Sequence, residues 1–445
     1  MTALFLCLLL AAPPEDPRQS IMDRAAAVPP EVAAELYIKL ADSGYPLDKK
    51  KRLEMLEDAW RMAGLAKMEM PPKMAVNGMN TDTDAGRILG SPRLDKLTLR
   101  VRAIRAMLPL DRKTAMERLE EMPVPAPPRA PCESALTGAP DPYFELLRDL
   151  GAADRLMLDL RALTVPEQLA PAIKAVLNIR RMDKDLRDLM VVAWAGSLKG
   201  MNGSFRSYYS SRDELNREFS GLTKHIDLFI PSFPKVPEAI AEYDARHWAG
   251  EVCADRAKDP QAAKAEKIGP GPKNPSYWSN PAAAKVMAEM KALRFGTPEQ
   301  QAEYNKRPRM ANGMAHFLPI EMRKTSEWET AMRKYLYSLE EWKKDDNETD
   351  RSWFHQRAMS YSAVLAIVPD GPMRQGVVQS YITFLNGAAM KQESPAEWLL
   401  AFDYLREGRG ADTGAAEGSV EAEVRRSGDG LMNLILDARQ VLKAK

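Results

Sequence analysis

The chain has 445 residues, of which 45% are hydrophobic and 28% are charged, and its formal net charge at pH 7 is +1. This composition is typical of a soluble, folded protein, and the length favours two or three helical subdomains, or one elongated array, over a single core. Because acidic and basic residues are mixed along the chain, charge gives no reason to expect nucleic acid or an anionic membrane as a partner.

The chain begins with an apolar run from Ala3 to Ala12, which prolines and acids follow. A run of about ten residues is too short for a membrane span, which needs roughly 20, and it is typical of the apolar region of a secretory signal. No Lys or Arg precedes it, so a frayed apolar terminus is the alternative. We predict export to the periplasm or the extracellular space, with residues 1–27 as a signal-like segment and linker, and no transmembrane span.

Two helical hairpins are predicted in residues 28–122. Apolar residues recur there every three or four positions, which is the spacing of one helix face. In the first hairpin they are Val32, Leu36 and Leu40, then Leu53, Leu56, Trp60 and Ala63. In the second they are Leu97, Val101, Ile104 and Leu108, then Met116 and Leu119. Asp111 is placed to cap the last of these helices.

Two proline-rich stretches, residues 123–140 and 258–280, interrupt the helical pattern. Proline cannot continue a helix, so both are predicted to be linkers. They divide the chain into an N-terminal segment (28–122), a middle segment (141–257) and a C-terminal segment (281–445). Successive hairpins favour an all-α fold of irregular stacked helical hairpins, like an α-solenoid. No strict repeat period is present, and separate helical bundles are the alternative.

Local signals also predict helices beyond the first linker. The Ser-x-x-Glu spacing of a capping box occurs at Ser211 and Glu214, at Ser326 and Glu329, and at Ser394 and Glu397. A stripe of large apolar residues is predicted to be core, namely Trp328, Met332, Tyr335, Leu339 and Trp342. No stretch shows sustained alternation of β-branched residues, so no strand is predicted.

Two groups of residues could bind a metal, but both have a simpler interpretation. Asp244, His247 and Glu251 share a helix face by spacing, yet the HExxH pattern is absent and a solvated polar face explains them. Four methionines with soft thioethers could hold copper(I), although methionine is also an adaptable core filler. They are Met68, Met70, Met74 and Met79. We assign no metal ligands and predict no cofactor.

The cysteines give the one candidate covalent feature. If a signal containing Cys7 is removed, Cys132 and Cys253 remain, each beside a proline-rich linker. Two cysteines in an oxidising compartment can pair, and we predict a disulfide between them. Two buried free thiols are the alternative, because free cysteine is often a core residue. No CxxC motif is present, and a nucleophilic role is not expected.

Four stretches, "PPEVAAELYIKLADSG", "LRVRAIRAMLPLDRKTAMERLEEMP", "RHWAGEVCADR" and "WFHQRAMSYSAVLAIVP", resemble a set of uncharacterised bacterial exported helical proteins. The resemblance spans most of the chain. It implies export and an all-α fold, and it implies nothing about chemistry, because no activity is associated with that set.

The sequence contains no GxSxG elbow, Walker A loop or GxGxxG after a strand, so no catalytic or cofactor-binding residues are assigned. We predict an exported helical scaffold or protein-binding module of the cell envelope, because helical arrays offer extended binding surfaces. The first alternative is an enzyme that acts on envelope glycans or peptides, with a site formed only in three dimensions. The second is a copper-binding or redox stress protein. The oligomeric state is open.

Overall fold

The structure is a computed structural model, and its description covers most of the chain, in several ranges. The described residues are 17–43, 48–74, 88–128, 136–180, 182–201, 211–212, 214–215, 218, 235–248, 280–297, 299–300, 302, 318, 322–346, 348–407 and 417–443. The apolar run from Ala3 to Ala12, Cys132 and Cys253 lie outside these ranges, so the predicted signal and the predicted disulfide stay predictions.

The described residues are mainly helical, which confirms the all-α class. In the N-terminal half the helices are α1 (Pro17–Ala25), α2 (Pro30–Asp42), α3 (Lys49–Ala63), α4 (Lys96–Met107), α5 (Arg112–Glu120), α6 (Asp141–Leu150), α7 (Ala153–Leu160), α8 (Leu169–Asn178), α9 (Lys184–Ser197) and α10 (Lys235–Trp248). In the C-terminal half they are α11 (Pro281–Phe295), α12 (Ser326–Glu341), α13 (Asp350–Leu365), α14 (Pro372–Gly387), α15 (Met390–Glu393), α16 (Pro395–Glu407), α17 (Glu417–Ser427) and α18 (Gly430–Lys443).

Side-chain caps fix where several helices begin. The Asp111 carboxylate accepts from the amides of Lys113 and Thr114 at the start of α5, which confirms the predicted cap. Asp95 starts α4 in the same way, accepting from the amide of Thr98 at 2.8 Å. Such caps satisfy backbone amides that have no partner inside the helix.

The capping box predicted at Ser326 and Glu329 is replaced by a single side-chain cap at Thr325. Thr325 is the N-cap of α12, and its hydroxyl accepts from the amide of Trp328. Thr325 has the extended backbone that an N-cap needs, so the helix begins at Ser326. The box at Ser211 and Glu214 falls in a stretch most of which lies outside the described residues.

A short antiparallel sheet corrects the expectation of a strand-free chain. Strand β1 (Pro72–Met74) pairs with β2 (Leu136–Gly138), which belongs to the first predicted linker. A side chain at Gly138 would meet the Met70 sulfur at 2.5 Å, so Met70 would have to move to make room for it. The sheet is too short to show alternation in sequence, and its effect is to hold the loop that precedes β1 in place.

The helices pack mostly in hairpins. Helices α2, α3 and α4 pack together, α4 also contacts α6, and α6 to α10 follow as a second layer. In the C-terminal segment α13 packs against α11, α14 and α16, and the predicted stripe on α12 is buried as expected. Within the described residues the buried apolar side chains form one continuous cluster.

The first and last helices of the described chain meet. Helix α1 packs against α18, and Arg24 forms an ion pair with Asp437 at 2.6 Å. Helix α2 contacts α18 as well. In an open helical array each repeat contacts only its neighbours, so this contact is not expected of one, and solenoid-like stacking is not confirmed. The closure brings the N-terminal segment against the C-terminal segment, and the candidate site lies at that junction.

Candidate functional site

A cleft of about 340 Å³ lies between the N-terminal and C-terminal segments. One wall is formed by Glu31 and by residues of the stretches 67–72 and 91–95, and the other by Arg351 and the stretch 393–396. Small-molecule sites are commonly clefts of about 300–1,000 Å³. The volume of the cleft is therefore at the lower end of the range for ligand sites. Both the N-terminal and the C-terminal segment contribute residues to its walls.

Four helices begin at the cleft. Glu31 is the second residue of α2, Asp95 caps α4, Arg351 is the second residue of α13 and Pro395 is the first residue of α16. The start of a helix carries partial positive charge and unpaired amides, which favour carboxylates nearby. The acidic residues of the cleft are thus accounted for in part by the helices that present them.

Asp95 is 1% exposed, and its two carboxylate oxygens differ. Oδ1 accepts from the Thr98 amide, whereas Oδ2 has no hydrogen-bond partner among the described residues. Burial raises the pKa of Asp95, and the hydrogen bonds from Thr98 and the charge of Arg93 only partly oppose that rise. Asp95 is therefore a carboxyl whose charged form is under-compensated.

Glu31 also has a buried oxygen without a partner among the described residues. It is 4% exposed, and its Oε2 has no hydrogen-bond partner in the part of the chain that the structure describes. A buried oxygen without a partner costs about 1–3 kcal/mol, and more when it is charged. Buried polar atoms are mostly hydrogen-bonded, which makes these two oxygens candidate acceptors for a ligand.

The cations of the cleft are engaged elsewhere in the protein. The Lys67 ammonium donates to the Gln392 carbonyl, and Arg93 donates to the Pro72 carbonyl at 3.0 Å. Arg351 donates from Nε to the Glu397 carboxylate at 2.8 Å. Among the residues that line the cleft, the two buried side-chain atoms without a partner in the described structure are both acceptors, and a ligand that offers donors or positive charge would complement them.

Glu397 lies directly behind the C-terminal wall and is fully satisfied. His355 Nε2 lies 2.6 Å from Oε2, and the Ser394 hydroxyl donates to Oε1 at 2.8 Å. Burial alone would raise the pKa of Glu397, but the hydrogen bond from His355, the charge of Arg351 and the hydrogen bond from Ser394 together lower it. Because an ionised carboxylate only accepts, we assign the proton of His355 to Nε2.

The metal-binding candidates singled out by sequence are not brought together at this site. Asp244 on α10 pairs with Arg212 at 3.7 Å, while the side chain of His247 and all of Glu251 lie outside the described part of the chain. Met68 lines the cleft, Met70 packs against the core, and Met74 belongs to β1; Met79 is outside the description. Across the described ranges no group of three or more His, Cys, Asp or Glu side chains is placed to hold a metal ion.

Sequence reasoning missed the cleft acids. Asp95 stands just before a predicted helix, where an aspartate indicates a cap and nothing more. Glu31 follows two prolines at a helix start, which is equally ordinary. Two signals pointed toward this region: Met68, which was a candidate copper ligand, and the Ser394 and Glu397 pair, which predicted a capping box instead of a buried ionic cluster.

Comparison with known protein families, with curated proteins and with solved structures finds no match to this chain. Within the described ranges, no helix is both long enough and apolar enough to cross a membrane.

Proposed function

We propose that the protein is an exported binding module that holds a segment of a partner polypeptide in the cleft between its N-terminal and C-terminal segments. The observation that carries the proposal is the pair of buried carboxylates, Glu31 and Asp95, which both line the cleft and each keep one oxygen without a partner among the described residues. Burying an oxygen without a partner costs stability, and such a group at the wall of a cleft supports a binding role.

The walls of the cleft support a peptide as the occupant. Beside the carboxylates, the lining contains Met68, Leu94, Ala396 and three prolines, which offer apolar surface to side chains. A mixture of apolar surface and a few placed polar groups is typical of ligand sites. Export agrees with the apolar run at Ala3–Ala12 and would place the partner in the cell envelope.

A display library of short random peptides tests the proposal. Peptides selected on the wild-type protein should lose binding to Ala396→Trp, in which the indole fills the cleft, and to Met68→Trp, which fills it from the opposite wall. Circular dichroism and thermal unfolding establish that each variant is folded. Failure to enrich any peptide, or equal binding to the wild type and to a folded filled variant, would overturn the proposal.

An enzyme acting on envelope peptides or glycans is the second candidate. One observation favours it, namely that Asp95 has a raised pKa and shares a cleft with a second buried carboxyl, as general acids do. Chromatography of the selected peptides after incubation separates the two functions. A binding module returns them intact, whereas an enzyme yields products that Asp95→Asn abolishes.

A further inference from the structure

The charges that line the cleft point to one kind of ligand group. Lys67, Arg93 and Arg351 each already bind an oxygen of the protein, while Glu31 and Asp95 each keep an oxygen without a partner among the described residues. Lys67 and Arg93 bind neutral carbonyls and keep their positive charge, whereas Arg351 is paired with Glu397, which does not line the cleft. The lining therefore has three carboxylates, of Glu31, Asp95 and Glu393, against the two cations Lys67 and Arg93, and the charge that remains is negative. An anionic ligand would add to the uncompensated charge, and a neutral one would leave it unchanged.

We infer that the cleft recognises a primary ammonium group on an apolar stem, such as a lysine side chain of the partner polypeptide. The inference rests on the proposed function and adds the chemistry of the ligand. An ammonium group carries three donors and a compact charge, which two carboxylates from different helices can share. A planar guanidinium matches the two oxygens of one carboxylate, but Oδ1 of Asp95 is already occupied by the Thr98 amide.

The apolar part of the lining fits the stem. Met68 and Leu94 stand in the N-terminal wall with Asp95, and Ala396 faces them from the C-terminal wall. Long cationic side chains bury their methylene groups along apolar surface and keep the charged end with polar partners. A lysine side chain thus matches both parts of the lining at once.

Burial strengthens the attraction. Glu31 and Asp95 are 4% and 1% exposed, so water and salt screen their charges little. A cation that enters the cleft therefore replaces a missing counter-charge, and no existing ion pair has to break. In contrast, binding an anion at Arg351 would require that residue to leave Glu397.

Isothermal titration with matched peptides tests the inference. The probe is an acetylated, amidated tripeptide with a central lysine, and its control has norleucine, which keeps the stem and lacks the ammonium group. The lysine peptide should bind at least about tenfold more tightly, equivalent to roughly 1.4 kcal/mol. Two further arms, a tripeptide with a free amino terminus and 1,5-diaminopentane, distinguish a lysine side chain from a chain terminus and from a free diamine.

Substitutions test which residues recognise the ammonium group. The double substitution Glu31→Gln and Asp95→Asn should abolish the preference for lysine over norleucine, whereas Glu327→Gln, an exposed first-turn acid on α12, should preserve it. Equal binding of the two peptides by the wild type, with both lost in Ala396→Trp, would overturn the ammonium inference and leave the proposed function standing. A lysine preference that survives the double substitution, or the absence of binding by all four probes, would also overturn the inference. Binding that survives in folded Ala396→Trp would contradict the proposed function itself.

Discussion

Asp95 and Glu397 are two carboxylates at the starts of helices, each 1% exposed, and their pKa values move in opposite directions. Burial acts on both in the same sense, raising the pKa. The difference lies in the partners. Asp95 receives hydrogen bonds on one oxygen and leaves the other unpaired, whereas His355, Ser394 and Arg351 surround both oxygens of Glu397.

The comparison separates a structural carboxylate from a candidate binding carboxylate. Glu397 joins α16 to α13, because His355 and Arg351 both belong to α13. Its charge is compensated inside the protein, so it has no capacity left for a ligand. Oδ1 of Asp95 caps α4, whereas its Oδ2 has no partner among the described residues. The N-terminal and C-terminal segments thus contribute a candidate binding pair and a supporting cluster, respectively, to the same junction.

The largest expected effect comes from breaking the satisfied cluster. Glu397→Gln leaves Arg351 and the buried His355 without their anionic partner, and we expect the free energy of unfolding at pH 7 to fall by about 3 kcal/mol. Because the folded pKa of Glu397 is lowered, its contribution is present above the unfolded pKa and is lost as the pH falls through the folded value. Urea denaturation between pH 7 and about pH 3 should therefore show the deficit shrinking in acid.

Glu327→Gln is the matched control for that substitution. Glu327 also lies in the first turn of a helix, but it is exposed, so only its interaction with the start of α12 is lost, about 0.5 kcal/mol. A Glu397→Gln variant as mild as this control would show that the cluster does not hold α13 and α16 together.

Asp95→Asn should have the opposite sign. Asparagine caps a helix about as well as aspartate, and the substitution removes a charge that burial disfavours. Because the folded pKa of Asp95 is raised, wild-type stability attributable to this group is present below the unfolded pKa and is lost as the pH rises through the folded value. The Asn variant should therefore gain stability relative to the wild type as the pH increases from about 4 to 7, measured by thermal unfolding.

Asp95→Ala separates the cap from the charge. It removes both, and the missing cap should leave it about 1 kcal/mol less stable than Asp95→Asn at pH 7. An Asn variant that becomes less stable relative to the wild type with rising pH would mean that Asp95 is compensated in solution, and the contrast with Glu397 would disappear.

Sequence reasoning succeeded where one turn of helix contains the whole signal. Asp111 and the amides that it caps are at most three residues apart, and the stripe from Trp328 to Trp342 repeats the period of one helix. The cleft could not be predicted in this way. Glu31 and Arg351 belong to different segments of the chain, and contacts between those segments, such as the packing of α2 against α18, bring them to one cleft. Burial of an unpaired oxygen is a property of that packing, and no local pattern encodes it.

A partly exposed carboxylate, Asp437, is expected to give the smallest change in stability. Asp437 on α18 pairs with Arg24 at 2.6 Å and with Arg425 at 2.8 Å, and its side chain is 27% exposed, so water screens both pairs. A double-mutant cycle of Arg24→Ala and Asp437→Ala should give a coupling energy of about 0.5 kcal/mol that declines in high salt. Because Arg24 belongs to α1, a measurable coupling also reports that α1 and α18 meet in solution. A coupling energy of zero at low salt would contradict the contact between α1 and α18. The junction that forms the cleft would then be tested through the contact of Lys67 with the Gln392 carbonyl.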